Sequence, residues 1–92
     1  MKSSTSERFW KYYADLLQEI NKQAKEAYAF FMHDPYYPSL HFKLVHSTRP
    51  IFSVRINMDY RADVILEEDE ITWFWIGSHS DYDKLLKQLR SA

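Results

Sequence analysis

The sequence predicts an α+β fold: a helical hairpin packed on a small antiparallel sheet and closed by a C-terminal helix. A change of period carries most of this prediction. Up to His33 the apolar residues recur with a 3.6-residue spacing and no Gly or Pro interrupts Thr5 to His33, whereas from Leu40 onward apolar and polar residues alternate. Size supplies the hairpin. A helix from Thr5 to His33 would be roughly 42 Å long, while a compact chain of this length is only about 30 Å across. With 92 residues, 46% of them hydrophobic and 17% aromatic, the chain is read as a single domain spanning 1–92.

Ser4-Thr5-Ser6-Glu7 has the pattern of a capping box, which would start the first helix at Ser4. Phe9, Tyr13, Leu16, Leu17, Ile20, Ala24, Ala27, Tyr28 and Phe31 form its apolar stripe. The polar stretch Gln18 to Asn21 is the expected break between the two helices. Asp34-Pro35-Tyr36-Tyr37-Pro38 ends the helical region, because each proline lacks an amide donor and disfavours helix in the residue before it.

Three alternating runs follow, at residues 40–45, 52–57 and 61–66. Their apolar members should pack on the helices and leave Lys43, Arg55 and Arg61 together on the opposite, open face. Glu67 to Glu70 reads as a solvated hairpin turn, although it lacks the Gly or Asn that tight turns favour. Ile71 to Ile76 is apolar on both faces, as a central strand would be, and simple alternation places Trp73 and Trp75 on one side of it. Ser80-Asp81-Tyr82-Asp83 can cap a last helix with the stripe Tyr82, Leu85, Leu86 and Leu89.

Composition excludes several chemistries. The absence of cysteine removes disulfides, thiol catalysis and thiolate metal sites, and fits a reducing cytoplasm. No apolar run approaches membrane-spanning length and the polar N-terminus has no apolar segment behind it, so a cytoplasmic protein without a membrane partner is expected. His33, His41 and His46 have no ligand spacing, so neither a metal nor another cofactor is expected. The net charge of −1 argues against bulk electrostatic binding of nucleic acid, but the charge is unevenly placed. Residues 40–61 carry four cations against one acid, and residues 62–92 carry seven acids against three cations.

The local excess of cations suggests a phosphate site. Arg55 and Arg61 would be neighbours across a strand pair, and two planar forks of donors suit a phosphate and the extra charge of its transition state. The alternative is ion pairing with Asp59 and Asp63 on a wet sheet face. His79, between the last strand and the last helix, could transfer protons near neutral pH or simply bond the backbone of a turn. Trp75 with Trp73 could stack bases or belong to the core. Tyr82 falls on an apolar helical stripe, and its phenol could still reach the sheet edge.

These residues resemble the RelE/ParE superfamily of bacterial type II toxin-antitoxin toxins. The likeness rests on Pro38 to Lys43, on Phe52 to Ile56 followed by Asp59-Tyr60-Arg61-Ala62, and on Trp73 to His79 with Tyr82 behind it. It implies a short first strand near Lys2 to Ser4, a helical hairpin and an antiparallel sheet. It also implies a toxin held inactive by a cognate antitoxin protein, either a ribosome-dependent, metal-independent mRNA endonuclease or a ParE-type poison of DNA gyrase. A degenerate member that only binds its antitoxin is a further alternative. For the nuclease branch, Arg61 and His79 match the main catalytic pair and Arg55 matches a supporting arginine. Lys43, Tyr82 and Trp75 would contact the substrate. The glutamate that some members use has no counterpart, so the resemblance leaves the general base unassigned.

Overall fold

A computed structural model describes residues 2–91. The chain begins with strand β1 (Lys2–Thr5), followed by helices α1 (Glu7–Ala14) and α2 (Gln18–His33). A 3₁₀ turn at Pro38–Leu40 leads into β2 (Lys43–Leu44), β3 (Ile51–Arg55), β4 (Tyr60–Glu67) and β5 (Glu70–Ser78), and α3 (His79–Ser91) closes the chain. The five strands form one sheet in the order β1-β5-β4-β3-β2. The α+β class, the helical hairpin and the C-terminal helix are as expected from the sequence. The sheet is mixed rather than purely antiparallel, because β1 runs parallel to β5 while the other pairs are antiparallel.

Residues 2–5 are a strand, so the capping box does not start at Ser4. Ser6 is the cap instead: its hydroxyl accepts from the Phe9 amide at 3.2 Å. The hairpin breaks at residues 15–17 rather than at residues 18–21. Leu17 takes an extended conformation, with ψ 148°, and its carbonyl accepts from the Asn21 amide, so the polar stretch forms the first turn of α2. Leu17 is 71% exposed and does not belong to the buried stripe. The molecule measures 33 × 27 × 26 Å, too short in every direction for an unbroken helix of the length considered above.

Phe9, Ala24, Ala27 and Phe31 of the hairpin pack on Val54, Ala62, Val64, Ile71, Trp73 and Ile76 of one sheet face. Leu40, expected on a strand, lies in the 3₁₀ turn and is buried in the same core. The following His41 is left-handed, with φ 44°, which shortens β2 to two residues.

The other sheet face is not open, because α3 lies across β4 and β5 on it. This helix starts earlier than expected. The Ser78 hydroxyl, not that of Ser80, caps it by accepting from the Asp81 amide at 3.2 Å, which makes His79 its first residue.

A β-bulge corrects the placement of the tryptophans. Asp63 pairs with Trp75 and Val64 with Trp73, so Phe74 is the extra residue and the alternation slips by one. Trp73 therefore packs on Phe9, Tyr28 and Phe31 of the hairpin, while Trp75 meets Tyr82 of α3.

Candidate active site

Strand register builds the site in two rows. Lys43 pairs with Ser53, Ser53 with Asp63, and Asp63 with Trp75; one step along, Arg55 pairs with Arg61 and Arg61 with Gly77. Directly paired residues share a sheet face, so these side chains lie on the face that α3 covers. Between β2 and α3 is a cleft of about 680 Å³, lined by Lys43, His46, Arg61, His79, Tyr82 and Asp83 among others. Four of the six residues singled out in the sequence, Lys43, Arg61, His79 and Tyr82, thus meet at one cleft.

Arg55 stands apart. It is the cross-strand neighbour of Arg61, but its Nε donates to the Asn57 carbonyl and its Nη1 lies 3.2 Å from His41 Nε2. It lines a separate hollow with Gln23, Glu26 and Met58. Trp75 lies behind the cleft rather than on its rim: at 5% exposure, it is packed between Tyr12 and Tyr82. Gly77 makes room for it, because a Cβ there would come within 2.7 Å of the Trp75 ring.

The Arg61 guanidinium sits over the Tyr82 ring, 5.4 Å from its centroid, and Tyr82 is only 4% exposed. A cation held over an aromatic face keeps its charge and loses freedom of movement. Burial raises the Tyr82 phenol above its usual range, so it stays protonated across the physiological range.

His79 is anchored at three points. Its amide donates to the Asp59 carbonyl at 2.6 Å, its ring stands edge-on to Tyr82 at 5.7 Å, and its Nδ1 lies 3.4 Å from Asp83 Oδ2. The contact with Asp83 is half exposed, so it orients the imidazole more than it stabilises the fold.

Three further contributors are not among the six residues singled out in the sequence. Asp83 follows His79 at the i,i+4 spacing of a helix, a signal available once His79 is placed on α3 rather than in a loop. His46 closes the far end of the cleft. Its Nδ1 accepts from the Thr48 and Arg49 amides, which puts the proton on Nε2, and Nε2 reaches the Leu89 carbonyl of α3 at 3.1 Å.

Asp63 is the third and least expected. It is 0% exposed, neither of its carboxylate oxygens has a hydrogen-bond partner, and burial pushes its pKa up to about 7 against the lowering effect of Arg61. In the sequence it reads as a surface partner of an arginine, because a strand pattern cannot show that a helix covers that face. Among the described residues no group of three or more His, Cys, Asp or Glu could hold a metal ion, and no helix is long and apolar enough to cross a membrane.

A family model described as the ParE-like toxin domain matches residues 18–84. No curated protein matches the sequence. Among solved structures, the fold is similar to the RelB-RelE antitoxin-toxin complex from Methanococcus jannaschii, with a TM-score of 0.70, 17% identity, and 87% of this chain and 95% of that chain covered. YafQ from E. coli aligns with a TM-score of 0.70 at 13% identity, covering 88% of this chain and 96% of that one. The isolated E. coli RelE toxin gives 0.64 at 15% identity, covering 96% and 97%. At these identities the likeness is one of fold.

Proposed function

The chain belongs to the ParE-like toxin domain family, within the RelE/ParE superfamily of toxin-antitoxin toxins, and from that premise we propose that it is a ribosome-dependent mRNA endonuclease. In this reading it acts as one domain in the cytoplasm and is held inactive by a cognate antitoxin. The observation that carries the proposal is the meeting of Arg61, Lys43 and an Asp83-oriented His79 at a single cleft.

Cleavage proceeds by attack of a ribose 2′-oxygen on the adjacent phosphorus, with the 2′-hydroxyl losing its proton and the 5′-oxygen leaving. The products are a 2′,3′-cyclic phosphate and a 5′-hydroxyl. His79, with Nδ1 occupied by Asp83, uses Nε2 to move a proton at the 2′-hydroxyl or at the leaving oxygen. Arg61 stabilises the charge that develops on the phosphate, and Lys43 positions the backbone by attraction alone. Tyr82 and Trp75 act from behind, fixing the Arg61 guanidinium. Arg55, bonded toward Asn57 and His41, supports the turn beside the cleft and reaches the substrate only with a change of rotamer.

A second reading is favoured by the family description itself and by the net charge of −1: a ParE-type toxin that poisons DNA gyrase and cuts no RNA. Expression without antitoxin separates the two. The nuclease reading expects breaks in translated messages that disappear with Arg61→Ala or His79→Ala. Intact messages together with trapped gyrase-DNA complexes would establish the second reading.

A further inference from the structure

Asp63 is a buried ionisable group that the proposed chemistry does not use. It lies two positions from Arg61 on the same strand face, about 7 Å along the chain. Both carboxylate oxygens lack a partner, and so do Nε and Nη1 of Arg61, all of them buried beneath α3. Unpartnered buried polar groups are rare in folded proteins. Here the two sets are complementary, acceptors of an acid beside donors of a base, and they remain unjoined.

We propose that Asp63 is a positioning residue acting through Arg61: it is the built-in counter-anion of the guanidinium and competes with an incoming phosphate for it. This deepens the nuclease reading and rests on it only in naming phosphate as the ligand of Arg61. When Asp63 is charged, it draws on the Arg61 donors and repels an anion in the cleft. When it is protonated, the full charge of Arg61 is available to the ligand.

The charged and titratable groups on the sheet face and cleft next to Asp63 are Lys43 on β2, Arg55 on β3, Arg61 on β4, and His79, Tyr82, Asp83 and Arg90 on α3, with His46 at the far end of the cleft; β5 offers Trp75 and Gly77, which do not titrate. Arg61 and Tyr82 are the two coupled to it directly. Burial brings its titration to about 7, so the competition changes within the physiological range. His79 lies in the same cleft as Arg61, and its imidazole must be separated from Asp63 in the test.

Sulfate is a suitable probe, because its charge is constant between pH 5.5 and 8.5. In a His79→Gln background, sulfate affinity followed through the Arg61 Nε–H resonance should weaken about tenfold over that range, and adding Asp63→Asn should make it flat. Binding linkage then requires the reciprocal effect: saturating sulfate should raise the midpoint of the Asp63 carboxyl carbon by about one pH unit. This second measurement uses the unmutated chain and needs no variant to fold. An Asp63 midpoint indifferent to sulfate, or a pH slope unchanged by Asp63→Asn, overturns the proposal. Sulfate coupling in a chain that cuts no message supports it and removes only the nuclease reading.

Discussion

At the scale of single residues, Asp63, buried beside the cleft residue Arg61, is a group whose cost to the fold can be measured. Asp63 has its pKa raised on folding, from an ordinary carboxylate value to about 7, because burial disfavours the charged form. The folded state therefore holds a proton that the unfolded chain releases, and stability is lost as pH rises from about 4 to about 7. That loss is on the order of 4 kcal/mol at most. Asp63→Asn should leave the unfolding midpoint unchanged at pH 4 and raise it at pH 8, which thermal melts at the two values would reveal. Equal effects at both pH values would contradict a buried, uncharged carboxyl. Gly77→Ala tests the support behind Arg61: its methyl group would press on the Trp75 ring, and a loss of roughly 1–3 kcal/mol in denaturant unfolding is expected from such overpacking.

At the scale of elements, the hairpin between β4 and β5 is under avoidable strain. Its two central residues, Glu68 and Asp69, have φ of 47° and 68°, the left-handed conformation that such turns require and that Gly or Asn adopts most readily. Glu68→Asn should raise the melting temperature, with a gain of a few tenths to about 1 kcal/mol, and leave the cleft untouched.

The elements were also what the sequence conveyed best and worst. Period and proline placement located the helices and the long strands. Arg55 and Arg61 are cross-strand neighbours, as the sequence predicts, because alternation fixes which face a side chain takes. The bulge at Phe74 was hidden, since one extra residue leaves no mark in a run that is apolar on both faces, and it moved Trp73 into the core. The position of the hairpin break was hidden too. It depends on the conformation of Leu17, and that residue is neither Gly nor Pro.

For the whole molecule, the decisive feature is that α3 covers the face left open in the sequence reading. A polar row of Ser53, Asp63 and Arg61 on a strand pair looks solvated until a helix is laid over it. The same helix brings His79, Tyr82 and Asp83 to Arg61, so it both builds the cleft and buries its deepest groups. Local charge explains why a chain of net charge −1 can still offer a phosphate site: Lys43 and Arg61, two of the four cations of residues 40–61, line the cleft together with Arg90 of α3, while Glu67, Glu68, Asp69 and Glu70 gather at the β4–β5 turn.

Arg61 and His79 are proposed to act together in cutting a phosphodiester on the ribosome. Single-turnover cleavage of a message on a programmed ribosome tests it most directly. The unaltered chain should leave 2′,3′-cyclic phosphate ends, and either His79→Ala or Arg61→Ala should lower the rate about 10²–10⁴-fold. Cleavage that survives both substitutions at the original rate, or no cleavage by the unaltered chain, would contradict it.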